Sequence, residues 1–176
     1  MAHKEFIIRN AVSGEFDEIG KLMIRAYSQL EGFPNQFEQP EYYKMLANIG
    51  EFTNKPGVEL LAAISGDNKI AGAVVYFNDM KFYGSGGTAT KEQNASGFRL
   101  LAVDPAARGQ SIGRLLTNEC IRKSSNKNIH SMIIHTTKAM QTAWTMYESM
   151  GFKRAEDLDF MQGALPVFGF RLSLKP

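Results

Sequence analysis

The sequence is poor in the residues that build metal centres and disulfide bonds. Its 176 residues include one cysteine, Cys120, and three widely spaced histidines, His3, His130 and His135. A single cysteine excludes an internal disulfide and any multi-cysteine metal site, and scattered histidines do not form a ligand cluster. We therefore expect no metal cofactor, and the composition gives no reason to place the protein in an oxidising compartment.

Long apolar runs and a large net charge are also lacking. The apolar stretch at residues 6–8 ends at Arg9 and is too short for a signal peptide. No stretch approaches the roughly 20 apolar residues of a membrane-spanning helix, so we expect a cytoplasmic protein without a membrane partner. A formal net charge of +2 gives no indication of a nucleic-acid partner.

The remaining composition is that of an ordinary globular protein, with 44% hydrophobic and 22% charged residues. A chain of 176 residues is long enough to bury a sizeable core and has the usual size of one domain. No repeat or linker divides the sequence, so we expect a single domain over residues 1–176.

Apolar periodicity and turn residues predict an alternation of strands and helices. Gly66-Asp67-Asn68 predicts a tight hairpin turn, and Pro40 is typical of the first position of a helix. The predicted strands are residues 6–11, 58–65, 69–82, 98–103, 129–136, 152–155 and 167–174, and the predicted helices are residues 14–30, 40–48, 111–125 and 140–150. This order predicts an α/β fold with a mixed, largely antiparallel sheet of about seven strands and helices on both faces.

The segment from Leu100 to Leu116 has the form of a phosphate-binding loop. An apolar strand ends at Val103, a loop of small residues follows, and a helix begins near Ser111. The first turn of a helix leaves N–H groups without partners and carries partial positive charge, which suits a phosphate. Gly109 and Gly113 would let the backbone approach a bulky anion closely.

Two better-known phosphate loops do not fit this segment, but a third does. Gly113 is followed by Arg114 rather than by the lysine of a Walker loop, and the three-glycine dinucleotide pattern is absent. The segment instead resembles the acetyl-CoA-binding motif of the GNAT family of N-acetyltransferases, Q/R-x-x-G-x-G/A between a strand ending in Ala-Val and a helix. Arg108 fills the first position and Gly113 the last, whereas Ser111 stands where the family usually has glycine.

A second segment strengthens the resemblance. The sequence from Ala143 to Phe152 is similar to the family pattern A-x-x-x-Y-x-x-x-G-F, with Tyr147 at the tyrosine and Gly151 at the glycine. The family often has asparagine three residues before this alanine, where this chain has Met140. Together the two motifs identify the chain as a member of the GNAT family.

The resemblance implies a site and a mechanism. Two central strands would splay apart to admit acetyl-CoA, an amine of a small molecule or peptide would attack the thioester directly, and no metal would be needed. The backbone N–H of Val103 would hold the developing negative charge, and Tyr147 would protonate the departing thiolate. The implied cofactor-binding residues are Leu101, Ala102, Val103, Arg108, Gly109, Gln110, Ser111, Ile112, Gly113 and Arg114.

Several points stay open at the level of sequence. The strand from Gly97 to Leu101 lacks the carboxylate that many relatives use as a base, so the base is Asp79, Glu92 or a chain of water molecules. Together with Ser111 and Met140, this lack keeps an alternative function open, a non-catalytic acyl-CoA-binding or sensing module on the same fold. The resemblance is compatible with a monomer or a homodimer.

Overall fold

One sheet organises the protein. The computed structural model describes residues 5–174, so His3 lies outside the described residues. The strands are β1 (Phe6–Asn10), β2 (Val58–Ser65), β3 (Ile70–Phe77), β4 (Ala95–Val103), β5 (Ser131–Thr136), β6 (Lys153–Arg154), β7 (Phe160–Gln162) and β8 (Leu165–Ser173), and the helices are α1 (Phe16–Ser28), α2 (Pro40–Ala47), α3 (Ile112–Asn126) and α4 (Gln141–Ser149). The strands follow the order β1-β2-β3-β4-β5-β8-β6, with β7 paired to β8.

The predicted fold class is confirmed, and the details differ in three places. The sheet has one strand more than predicted, because the three-residue β7 is too short to show a period and turns into β8 at Gly163, whose φ is +60°. Strand β3 ends at Phe77, five residues before the predicted end. Strand β4 begins at Ala95, because Ser96 is buried against Ser124 and Gly97 packs on β5 although their sequence suggests a loop.

The two faces of the sheet carry separate apolar layers. Helices α1 and α2 cover one face and α3 and α4 cover the other. Helix α1 forms because Ile19, Leu22, Met23 and Ala26 recur at spacings of three and four residues, and all of them are buried. Among the described residues, no helix is both long enough and apolar enough to cross a lipid bilayer.

The sheet opens between its two central strands. Strands β4 and β5 run parallel but pair only over residues 95–97, whereas β4 stays paired to β3 as far as Val103. Leu100 and Leu101 both lie opposite Val74, and Leu100 has a φ of +60°. This β-bulge bends β4 away from β5, since an extra residue in one strand increases its local twist. The result is a gap at the carboxyl ends of both strands.

Candidate active site

A cleft of about 550 Å³ occupies the gap beside β4. Its walls come from the end of β4, the loop before α3, the first turn of α3, and the start of α4. Every predicted cofactor-binding residue except Gln110 lines the cleft, together with Tyr27 of α1 and Met140 and Met146 from around α4. The structure therefore brings residues 101–103 and residues 108–114 together around one cavity.

The loop at the start of α3 presents a run of unused hydrogen-bond donors. No backbone N–H from Arg108 to Arg114 donates to an acceptor among the described residues, although Leu115 already closes the first helical turn on the Ser111 carbonyl at 3.0 Å. Gly109 reaches this geometry with a φ of +79°, and a side chain there would meet no other atom. A run of N–H groups at a helix N-terminus forms a concave anion site.

Ser111 adopts the backbone conformation that a glycine would favour. Its φ is 61° and its ψ is 20°, in the left-handed region. A non-glycine residue pays a steric penalty in this region because Cβ approaches the following backbone. Ser111 therefore adds backbone strain at the position where the family motif usually has glycine.

The surroundings of this loop are positively charged and open. Arg108 and Arg114 are exposed and line the cleft, and Arg114 is held by a hydrogen bond to Ser149 at 2.8 Å. At Gly113 an added Cβ would lie 3.5 Å from the Met146 sulfur. A glycine at this position therefore keeps the cleft open, although the packing of the free protein would also accommodate an alanine.

Hydrogen bonding fixes the direction of the β4 backbone beside the cleft. The Asp104 N–H donates to the Ala71 carbonyl of β3 at 2.8 Å. In an antiparallel pair, every second residue of a strand directs its N–H and C=O to the same neighbouring strand. Because Asp104 bonds to β3, the N–H of the adjacent Val103 points away from β3 and into the gap. The carbonyl of Leu101, in turn, accepts a hydrogen bond from the Tyr27 hydroxyl at 3.3 Å.

Two hydroxyls at the end of β5 have no protein partner. Thr136 and Thr137 are buried, and neither side-chain oxygen forms a hydrogen bond with a described residue. The chain continues directly from them to Ala139 and Met140, which line the cleft. A buried polar atom without a partner is rare in a folded protein, and a bound ligand is one way to satisfy it.

Tyr147 lies on α4 but not on the wall of the cleft. Its side chain is 4% exposed, and its ring packs against Phe98 and Phe152 at centroid distances of 5.8 and 5.7 Å. Burial raises the pKa of the phenol, and no described residue hydrogen-bonds the hydroxyl. Neighbouring Ala143 and Met146 do line the cleft. Its role as a proton donor stays a prediction.

Neither carboxylate proposed as the base reaches the cleft. Asp79 accepts a hydrogen bond from the backbone of Lys81 at 3.0 Å, and Glu92 forms an ion pair with Arg171. Both lie in a surface recess near Ala95, at the start of β4. Leu101 is six residues further along this strand, which corresponds to about 20 Å.

A second recess, of about 480 Å³, lies on the face of β4 that α1 and α2 cover. It is lined by Arg99 of β4, by Gly84, and by α2 and the segment after it, from Glu41 to Lys55. We call it the Arg99 recess. Arg99 and Leu100 both lie on this face because the bulge places two consecutive residues on one side of the strand.

Comparison with known proteins identifies the family. The model of the acetyltransferase (GNAT) domain matches residues 26–173. This chain belongs to the GNAT family of acetyltransferases. Membership makes it an acetyl-CoA-dependent N-acetyltransferase, as the two sequence motifs predicted. No match is found among curated proteins.

Solved GNAT structures share this fold at low sequence identity. A GNAT acetyltransferase from Staphylococcus aureus superposes with a TM-score of 0.74 at 18% identity, covering 97% of this chain and 100% of that one. The PaiA N-acetyltransferase of Thermoplasma acidophilum, in complex with coenzyme A, gives 0.71 at 12% identity, covering 94% and 98%. The spermidine N-acetyltransferase of Vibrio cholerae, in complex with CoA and spermine, gives 0.64 at 17% identity, covering 96% and 95%.

Two further residues of this GNAT protein, Asp104 and Cys120, have structural roles. Asp104 accepts a hydrogen bond from the Ala106 N–H at 2.9 Å and so stabilises the turn that follows β4. Cys120 is fully buried, and burial raises the pKa of its thiol. No cluster of three or more His, Cys, Asp or Glu side chains within residues 5–174 could hold a metal ion.

Sequence reasoning missed the Arg99 recess. Its walls come from three separate parts of the chain, and no motif joins them. One signal was available, because Arg99 is the single charged residue in the otherwise apolar strand segment from Gly97 to Val103. It stands on the strand where many relatives have a carboxylate.

Proposed function

We propose that this GNAT enzyme transfers the acetyl group of acetyl-CoA to a primary amine of a small molecule or peptide, by direct attack of the amine on the thioester. The observation that carries the proposal is the run of unused N–H donors from Arg108 to Arg114, which opens onto the gap between β4 and β5. A phosphate-binding loop beside an open strand edge suits a long cosubstrate with an anionic end and a reactive acyl end.

The chain offers each part of that cosubstrate a separate partner. The N–H groups of residues 108–114 and the side chains of Arg108 and Arg114 would hold the pyrophosphate. The backbone edge of β4 around Val103, which β5 leaves unpaired, would pair with the amide groups of the pantetheine arm, and the Leu101 carbonyl would remain with Tyr27. The two unpaired hydroxyls of Thr136 and Thr137 lie at the end of the facing strand, where they could contribute further hydrogen bonds.

The transfer forms a C–N bond and breaks the C–S bond of the thioester. The N–H of Val103 points into the gap and would stabilise the negative charge that develops on the carbonyl oxygen. Tyr147 would then donate its phenolic proton to the departing thiolate. Burial raises the pKa of Tyr147, so the phenol is protonated at neutral pH, as a donor must be, although the same shift makes it a weaker acid towards the thiolate than an exposed tyrosine.

The amine must lose a proton during the transfer, and we propose that water accepts it. No carboxylate stands on β4, and Asp79 and Glu92 lie in the recess at Ala95, from which Leu101 is about 20 Å further along the strand. The Arg99 recess is open to solvent and begins two residues from Leu101 on the same strand. It therefore offers a wet route from the reaction centre to bulk solvent.

An acetyl-transfer screen tests this proposal. Purified protein is incubated with acetyl-CoA and with amino acids, polyamines, aminoglycosides or peptide N-termini, and released thiol is measured. We expect thiol release that depends on one class of amine and is lost in Gly113→Val. Binding of acetyl-CoA without transfer to any amine would contradict the proposal and favour the non-catalytic binding module.

A further inference from the structure

The Arg99 recess holds a half-buried cation that forms no ion pair within residues 5–174. The neighbours of Arg99 are mainly aromatic. Its guanidinium carbon lies 5.9 Å from the centre of the Phe52 ring and 5.7 Å from that of Tyr83. A charged group among apolar side chains loses part of its hydration, and this lowers the stability of the folded protein unless an oppositely charged partner compensates the loss.

Most of the hydrogen-bonding capacity of Arg99 is unused. Its Nη1 donates a hydrogen bond to the Tyr83 carbonyl at 2.8 Å. The Arg99 side chain forms no other hydrogen bond with residues 5–174. A guanidinium presents its remaining N–H groups in a rigid, planar fork that matches a carboxylate. The recess therefore contains a rigid donor pair without an acceptor.

The other charges of the recess are exposed and mixed in sign. Lys44 and Lys55 contribute positive charge and Glu41 and Glu51 negative charge, so with Arg99 the lining carries three cations and two carboxylates. The lysines and glutamates are exposed to solvent, where screening makes their contributions small. The half-buried Arg99 accordingly dominates the electrostatics of the recess.

Arg99 is also close to the reaction centre. It lies two residues before Leu101 on β4, which corresponds to about 7 Å along the strand. Burial raises the pKa of Tyr27, Tyr42 and Tyr83, and the positive charge of Arg99 partly offsets that rise. The guanidinium therefore lies near Tyr27, a residue that also lines the cleft.

We propose that Arg99 binds a carboxylate of the acceptor, so that the substrate is a small amine with a carboxylate near the reacting nitrogen, such as an amino acid or a short peptide. This inference rests on the proposed function and specifies its acceptor. The recess would present the carboxylate to the Arg99 fork and the amine to the thioester. The same cation would repel a polyamine, which carries only positive charge at neutral pH.

The test compares matched acceptors that differ in one charge. Amino acids are measured against their carboxamides, with spermidine as a polycation, in wild type, Arg99→Met, Arg99→Lys and the control Arg122→Met. Arg122 is an exposed arginine on α3 that pairs with Glu119 at 2.6 Å, outside both cavities. We expect kcat/KM to favour the carboxylate over the carboxamide by about 10- to 100-fold in wild type, mainly through KM.

The variants separate recognition from a purely structural role. Arg99→Met should remove the preference while leaving the rates with carboxamides within a few-fold of wild type, and Arg99→Lys should retain part of it. A structural brace on the Tyr83 carbonyl would instead slow every acceptor by the same factor. A preference that survives in Arg99→Met, or a wild type that favours spermidine, would overturn the proposal.

A binding measurement keeps this test independent of turnover. Titration calorimetry with an N-acetyl amino acid and with its carboxamide, in wild type and Arg99→Met, reports the anion site directly. We expect tighter binding of the carboxylate in wild type and equal binding of both in Arg99→Met. If thiol release is absent with every acceptor but this difference is present, the proposed transferase activity fails and the anion site stands. Equal binding of both ligands in wild type refutes the anion site.

Discussion

The cleft beside α3 and the Arg99 recess both border β4, but they are built in different ways. The cleft is lined mainly by one continuous segment, residues 101–114, which contributes its backbone N–H groups, and also by the end of α1 and the start of α4. The recess is made of side chains from β4, from α2 with the segment after it, and from the loop at Gly84. Backbone geometry is shared across a family, whereas side chains in a recess can differ between members that bind different acceptors.

The largest expected effect concerns the cleft, at Gly113. In Gly113→Val the added methyl groups should block the passage beside Met146, where even a Cβ would lie at contact distance. We expect the rise in melting temperature that wild type gains from acetyl-CoA to disappear, because binding to the folded state alone produces that rise. Differential scanning fluorimetry with and without acetyl-CoA measures it.

The control for this variant is Gly113→Ala, which adds a methyl group that the free protein can accommodate. It should fold like wild type and lose only part of the shift. An unchanged shift in Gly113→Val would show that acetyl-CoA does not occupy this cleft. The comparison between cleft and recess would then lose its basis.

The next largest effect concerns Tyr147, which lies on α4 next to Ala143 and Met146 of the cleft wall. Tyr147→Phe removes a hydroxyl that no described residue hydrogen-bonds, so stability and binding of acetyl-CoA should change little. The catalytic rate should fall by about ten- to a thousand-fold if the hydroxyl protonates the thiolate. Steady-state kinetics by thiol release measures kcat. Wild-type turnover would show that Tyr147 is a packing residue between Phe98 and Phe152.

Most of the predicted cofactor-binding residues line one cleft because the sequence signals for them are local. The strand ending at Val103, the glycines and the helix start lie within one short segment, while their role in binding acetyl-CoA stays a prediction. The same locality explains the hairpin at Asn68, whose φ is 60°. The bulge at Leu100 gave no such signal, since leucine is not a typical residue at positive φ.

The recess could not be predicted in the same way because its geometry depends on long-range packing. Arg99 and Phe52 come together only after α2 and the following segment dock against β4. Strand β7 illustrates a related limit, since its three residues gain their strand conformation from pairing with β8. Periodicity within so short a stretch contains too little information.

A smaller effect is expected for the two carboxylates considered as the base, which lie near Ala95 and away from both cavities. Asp79→Asn and Glu92→Gln should change kcat/KM by less than about three-fold, whereas loss of a general base costs about a hundred-fold or more. The rate should climb with pH towards the pKa of the acceptor amine in all three proteins. Arg171 keeps Asp157 as a partner at 2.7 Å, so Glu92→Gln should remain folded.

The pH–rate profiles of wild type and the two variants decide this point. A flattened climb together with a large loss in one variant would identify that carboxylate as the base and reject the solvent route through the recess. Parallel profiles in the three proteins support the solvent route.

The smallest expected effect is at Ser111, where the cleft departs from its family motif. Glycine adopts a φ of 61° without a steric penalty, so Ser111→Gly should stabilise the free protein by about 1 kcal/mol. For a chain of this size that corresponds to a rise in melting temperature of about 2–4 °C. The control is Asn68→Gly, at a φ of 60°, where the gain should be smaller because asparagine tolerates this region better than serine. Gly109→Ala provides the reverse test. Gly109 has a φ of +79° and open space around an added Cβ, so the substitution should lower the stability of the free protein by a similar amount, through backbone strain alone.

If the serine hydroxyl contributes nothing to phosphate binding, Ser111→Gly should also keep the full stabilisation by acetyl-CoA. A smaller shift with acetyl-CoA in Ser111→Gly would mean that the hydroxyl contacts the ligand, and that the strain at Ser111 is retained for binding.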